Sequence, residues 1–223
     1  MSRNDIGPLV LAVAMTAVAG YVDAVGLLTL GDLFVSFMSG NSTQFAAAIV
    51  HGDWDKAGEA GGIIALFVIG VAGGHFLAAV AREWRRPAVF MLEAALLGLA
   101  VALAPWQGAI VPIVLAMGVQ NEALHKAGEV KTSLTYVTGT LVSFGENLAS
   151  ALHGEDPKRR WLWLPYLLLW LGLIIGAGIG ALAYAQMRIR ALVWPAAFVL
   201  LCAAVTVYFT WRNRAGAKQV EEI

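Results

Sequence analysis

The sequence predicts an all-α, polytopic helical membrane protein: two inverted repeats of four hydrophobic segments each, with a broken or re-entrant helix in each repeat. Three observations carry this. Hydrophobic residues make up 59% of the chain and charged residues 13%, with a mean hydropathy of +0.72, whereas a soluble domain is nearer a quarter charged. The apolar residues fall in runs of about 17–25, the length a helix needs to cross a hydrocarbon core. One polar interruption then occurs twice, SFMSGNST at 36–43 and TYVTGT at 135–140. Each copy follows a Gly-x-x-(Asp/Asn) element, Gly20 with Asp23 and Gly118 with Asn121.

The first apolar run, 9–30, is too long for the core of a signal peptide and carries Gly20 and Asp23, so it reads as a retained helix. The second, 33–50, holds the first interruption and leads into an acidic loop with Asp53, Asp55 and Glu59. The third, 61–81, carries Gly70 and Gly74, and ends at the basic turn 82–86. Glycines four apart share one helix face and let two backbones approach, which is how membrane helices pack. The fourth, 87–104, opens on Pro87, tolerated at a helix start because its missing N–H would be unpaired there. After an uncharged turn around Trp106 comes the fifth, 109–124, and a polar linker.

The sixth segment, 132–152, holds the second interruption, and the loop 153–160 follows. The seventh, 161–185, repeats the glycine spacing at Gly172, Gly176 and Gly180, and the eighth, 191–211, carries Pro195 as the fourth carries Pro87. Segments one to four thus map in order onto five to eight, repeat 1 at about 9–105 and repeat 2 at about 107–211. Gly and Pro are frequent in membrane helices, so each match alone is weak; four in one order make the repeat. A basic then acidic tail closes the chain at 212–223, and no polar stretch is long enough for a second domain.

Loop charge orients the chain. Lys and Arg favour cytoplasmic loops, and the basic regions are 82–86, 158–160 and 212–218. If all eight segments crossed, the first would lie opposite the other two. If segments one and two together cross an odd number of times, and five and six likewise, all three face the cytoplasm with both termini. Arg188 and Arg190 then fall outside, the one exception. An odd number of crossings per half inverts the halves, and discontinuous helices in inverted repeats recurrently form a solute site near the midplane. Irregular backbone at that depth must lie against protein or a water-filled cavity.

The stretches GYVDAVGLLTLG, FVSFMSGNST, GVQNEALHK and LTYVTGTL resemble the YoaK family of bacterial membrane proteins, also called DUF1275 or UPF0700, and the resemblance covers nearly the whole chain. It implies a bacterial inner-membrane protein and brings no activity with it. Glu122 departs from the family pattern, which has a small residue after Asn121.

The candidate contacts for a solute or ion are Ser36, Ser39, Gly40, Asn41 and Thr43 in the first interruption and Thr135, Thr138, Gly139 and Thr140 in the second, with Asp23, Asn121, Glu122 and Glu146 setting charge. Ionisable groups inside membrane segments are costly and mark function by default. Asp23 either lines a polar cavity or caps the neighbouring break. Glu122, near the linker, either joins the site or faces water. Glu146 with Asn147 could hold a proton or a cation. His75, beside the close-packing Gly73 and Gly74, reads as an interhelical hydrogen-bonder. Glu93 has Leu201 at the matching place in segment eight, which removes it from a symmetric site but leaves it as a proton carrier. Trp161, Trp163, Tyr166 and Trp170 read as an interface belt.

Zero net charge gives no field that points to nucleic acid. A lone Cys202 excludes an intrachain disulfide, a thiolate cluster and a CxxC pair. Enzyme signatures are absent and the four histidines have no ligand spacing, so no metal, cofactor or catalytic activity is implied. The partners expected are the lipid bilayer and a small polar solute or ion, with a homo-oligomer left open. The expected function is a secondary transporter or facilitator. A channel with the same inverted halves would instead show conductance that does not saturate. A scaffold or sensor that binds a partner protein would tolerate apolar isosteres at Asp23 and Asn121.

Overall fold

The computed structural model describes residues 3–104, 106–123, 137–154 and 160–221. Among them the chain is all helical: α1 (Arg3–Leu30), α2 (Met38–His51), α3 (Trp54–Ala81), α4 (Arg85–Ala102), α5 (Ile110–Ala123), α6 (Val137–His153), α7 (Trp163–Met187) and α8 (Val193–Glu221). Three stretches among the described residues are long and apolar enough to cross a membrane: Ile6–Leu30, Trp54–Ala102 and Trp163–Arg212. The last two each hold a pair of helices, α3 with α4 and α7 with α8, which double back at short 3-10 turns. Ile110–Glu122 is a shorter apolar helix.

Contacts fix the direction of each helix. Gly172, Gly176 and Gly180 of α7 lie against Val13, Ala17 and Tyr21 of α1, so α1 and α7 run parallel. Gly70 and Gly74 of α3 lie against Leu115 and Val119 of α5, so those two are parallel as well. Lys56, in the first turn of α3, pairs with Asp32, just past the end of α1, at 2.9 Å. Arg214, near the end of α8, pairs with Glu83 in the turn between α3 and α4. Helices α1, α4 and α7 therefore run one way, and α3, α5 and α8 the other. The core lies between them, where Met15, Val22, Phe90, Leu97, Ile113, Met117 and Leu192 are fully buried.

These contacts recur at constant spacing. A methyl group at Gly20 would overlap the Leu173 carbonyl, and one at Gly118 would overlap that of Phe67. One offset carries Ala17, Gly20 and Tyr21 onto Leu115, Gly118 and Val119; another carries Phe67, Gly70 and Gly74 onto Leu173, Gly176 and Gly180. This second offset also carries Arg82 onto Arg188. They are the two non-glycine residues with positive φ among those described, at 51° and 54°, and each closes its long helix. Backbone on backbone at these seven glycines is the close packing expected of small residues in a membrane helix.

Local chemistry moved three boundaries. The acidic stretch after Gly52 is the start of α3, because the Asp53 side chain accepts from the Lys56 N–H and caps the helix. Gly52 ends α2 at φ 72°, a conformation glycine adopts without penalty. The irregular backbone precedes the SGN triplet: the helix resumes at Met38, so Ser39, Gly40 and Asn41 form the first turn of α2.

Candidate functional site

The segment between α1 and α2 turns back alongside α1. Past Gly31, whose N–H still bonds the Leu27 carbonyl, two side chains supply partners for the Phe34, Val35 and Ser36 N–H groups. Asp23, two turns inside the end of α1, accepts from the Val35 and Ser36 N–H groups through Oδ1 at 3.0 and 2.9 Å. Asn41, fully buried, accepts from the Phe34 N–H at 2.9 Å and donates to the Phe34 carbonyl at 2.6 Å. An asparagine can satisfy both groups of one peptide residue because its amide carries a donor and an acceptor side by side. Phe34 and Phe37 pack edge to face, and a methyl group at Gly40 would stand 2.6 Å from the Phe37 ring. The break is thus a built turn, with Asp23 acting as its cap.

The other predicted residues divide. Ser36 is buried beside Asp23, whereas Ser39 and Thr43 lie on the exposed side of α2, Thr43 bonded back to the Ser39 carbonyl. Thr140 is buried at the place matching Asn41; Thr138 is exposed and Gly139 half-buried at the start of α6. Thr135 lies outside the described residues. Asn121 bonds the Met117 carbonyl of its own helix at 2.9 Å, among other interactions. Glu146 is exposed, and its neighbour Asn147 bonds back to Ser143. Among the described residues α2 packs on α3 and α6 on α7, and the two do not touch each other.

Glu122 is buried, not water-facing. It accepts from Arg85 at 2.8 Å and meets His75 Nδ1 at 3.1 Å, tying the ends of α5 and α3 to the start of α4. His75 is an interhelical partner, as its place beside the glycine pair suggested. Glu93 is fully buried, and neither carboxyl oxygen has a hydrogen-bond partner among the described residues.

Sequence reasoning missed several groups. Gln120, fully buried on α5, donates to the Met15 carbonyl of α1 at 2.9 Å and joins the halves; an amide beside Asn121 at the end of an apolar run was the available signal. Tyr21 and Tyr184 cross between elements to the Ala191 and Leu28 carbonyls at 2.9 and 2.8 Å. The endings of α2 and α6 also match, His51-Gly52 and His153-Gly154, each histidine bonded four residues back and each glycine at positive φ. A cavity of about 790 Å³ lies between the first turns of α1, the middle of α8 and the basic turn leading into α4.

Long apolar helices, close glycine packing and buried polar caps define a polytopic helical membrane protein. Residues 11–206 match the family described as "Protein of unknown function (DUF1275)", and the chain belongs to that family. It is 35% identical over 216 residues to the UPF0700 transmembrane protein RA0705 of Rhizobium meliloti (strain 1021), covering 95% of this chain and 92% of that one. It is 30% identical over 154 residues to the UPF0700 transmembrane protein YoaK of Bacillus subtilis (strain 168), covering 65% and 68%. No solved structure matches.

Proposed function

We propose that the protein is a non-enzymatic secondary transporter or facilitator of a small polar solute in the bacterial inner membrane, built from two inverted repeats. The observation that carries this reading is the repetition of one contact pattern with the chain reversed. Gly20 on Leu173 answers Gly118 on Phe67, while α1 runs opposite to α5. The segment 31–51 leaves and returns at the same end, where Lys56 meets Asp32, so α2 is re-entrant on this reading. Each half then crosses three times. Arg82, Arg85, Arg86, Arg160 and Arg214 gather at one end, which the charge rule makes cytoplasmic along with both termini. Arg188 falls at the other end, where it stacks 4.5 Å over the Tyr184 ring, a packing role that accounts for a cation there.

Folds of this kind recurrently hold their solute at half-helix ends near the midplane, which supports a site at the first break, where the helix resumes at Met38. One observation favours a scaffold instead: Asp23 and Asn41 satisfy the first break from within. Cysteine labelling tests the architecture. In a Cys202→Ser background, thiols beside Arg85 and Arg160 should label from the cytoplasm and one beside Trp106 from outside. Labelling of the two basic loops from opposite sides would sink the inverted repeat.

A further inference from the structure

The paired contacts of the two halves differ at α3 and α4, which pack on each other while α7 and α8 meet only through the turn between them, and they differ most in one other place. Under the correspondence of α1 with α5 and α4 with α8, the α1–α8 interface matches the α5–α4 interface. Helices α4 and α5 are packed along their length, whereas α1 and α8 barely touch, and the 790 Å³ cavity fills the gap. The offset from Pro87 to Pro195 places Leu201, Cys202 and Val205 of its wall opposite Glu93, Ala94 and Leu97. Leu201 and Val205 are 60% and 46% exposed; Glu93 and Leu97 are 0%. Leu11 on the facing wall corresponds to Ala109, also fully buried. Equivalent interfaces, one open and one shut, are what rocking of one repeat against the other produces.

The rim has its own chemistry. It carries Arg82, Glu83, Arg85 and Arg86 over apolar walls. Glu83 is paired with Arg214, and Arg85 with Glu122. Among the described side chains Arg82 and Arg86 are in no ion pair, and both face the opening. Low-dielectric walls focus such a field and concentrate counter-ions. The volume falls in the range of small-molecule sites, roughly 300–1,000 Å³.

We infer that this crevice is the cytoplasmic entry chamber of the transport path and that it admits small anions. The inference rests on the transporter reading. A free anion and an anionic lipid headgroup share the chemistry, and water access separates them.

The native Cys202 on the wall is the reporter. Full-length protein in oriented membrane vesicles is treated from each side with anionic sulfonatoethyl or cationic trimethylammonioethyl methanethiosulfonate. The expected result is modification from the cytoplasmic side, with the anionic-to-cationic rate ratio about tenfold above that of a free thiol. Arg82→Gln with Arg86→Gln should return the ratio to the free-thiol value. Roughly 1 M salt, which shortens the screening length to about 3 Å, should do the same without any substitution. Reaction only with membrane-permeant N-ethylmaleimide means lipid fills the crevice, and overturns the proposal, as does a ratio indifferent to both salt and the arginines. Ala94→Cys in a Cys202→Ser background, probed from outside, separates the two ideas. If it never reacts while Cys202 keeps its anion preference, the chamber stands and alternation fails. If it reacts but Cys202 shows no preference, alternation stands and the anion inference falls.

Discussion

Replacing Asp23 with alanine should loosen the first break more than any other single truncation on α1. The structure sets the magnitude. Asp23 Oδ1 is the acceptor for two N–H groups, at 3.0 and 2.9 Å, in a segment with no ladder to fall back on. An unsatisfied buried donor costs about 1–3 kcal/mol, so the pair loses about 2–6 kcal/mol, nearer the top if lipid rather than water reaches the break. For a chain of this size that lowers the unfolding midpoint by on the order of 10 °C. Asp23→Asn keeps a carbonyl acceptor in place and should lose about 1–2 kcal/mol, since neutral hydrogen bonds are roughly half as strong as charge-assisted ones. Asp32→Ala is the control, because that carboxylate is exposed and its pair with Lys56 is screened. The assay is the temperature at which half of the purified protein stays monodisperse in detergent. Should Asp23→Ala match Asp32→Ala, or Asp23→Asn match Asp23→Ala, the capping argument is wrong.

Three further outcomes follow from the same geometry. Gly176→Ala should abolish the folded state or cut its yield severely, because its methyl would overlap the Ala17 backbone, whereas Gly178→Ala meets nothing within 4 Å and should be neutral or slightly stabilising; expression with size-exclusion profiles reads the contrast. Arg85→Gln should lose about 3–5 kcal/mol by stranding buried Glu122, and Glu122→Gln in the same chain should restore most of it; a double-mutant cycle that came out additive would deny the pair. Glu93→Leu, which installs the residue of the matching position, should raise the unfolding midpoint, because it removes a carboxyl with no hydrogen-bond partner among the described residues; a lower midpoint would mean that the carboxyl is held by something.

What the sequence made legible is what side chains alone decide. The runs of apolar residues placed all eight helices, and glycine spacing named the faces that pack. Gly70, Gly74, Gly172, Gly176 and Gly180 are all buried against a neighbouring backbone. Their partners were illegible, because Leu115, Val119, Val13, Ala17 and Tyr21 contribute backbone, which has no residue signature. The same holds at the break: Asp23 and Asn41 announced themselves, but Phe34, Val35 and Ser36 bind through peptide groups that any residue carries. The partner of Glu122 was illegible too, because sequence distance from the linker says nothing of Arg85, which reaches it from the start of another helix.

The matched positions also show where the halves stop being copies. Glu122 corresponds to Ala24, Arg85 falls opposite the apolar start of α8, and His75 corresponds to Ala181. The three residues of the ion-paired cluster therefore have apolar counterparts, and the cluster ties α3, α4 and α5 together at the end where the crevice opens. Symmetric packing alone would give two equivalent interfaces the same energy. A buried charge pair present in one half breaks that tie, since it anchors Arg85 on the rim while Arg82 and Arg86 stay unpaired. Glu122 is thus coupled to rim charge: an alanine there frees a third arginine. Cys202 modification rates in Glu122→Ala should show a larger anionic preference than in the parent chain. An unchanged ratio would mean that Arg85 is neutralised by another group.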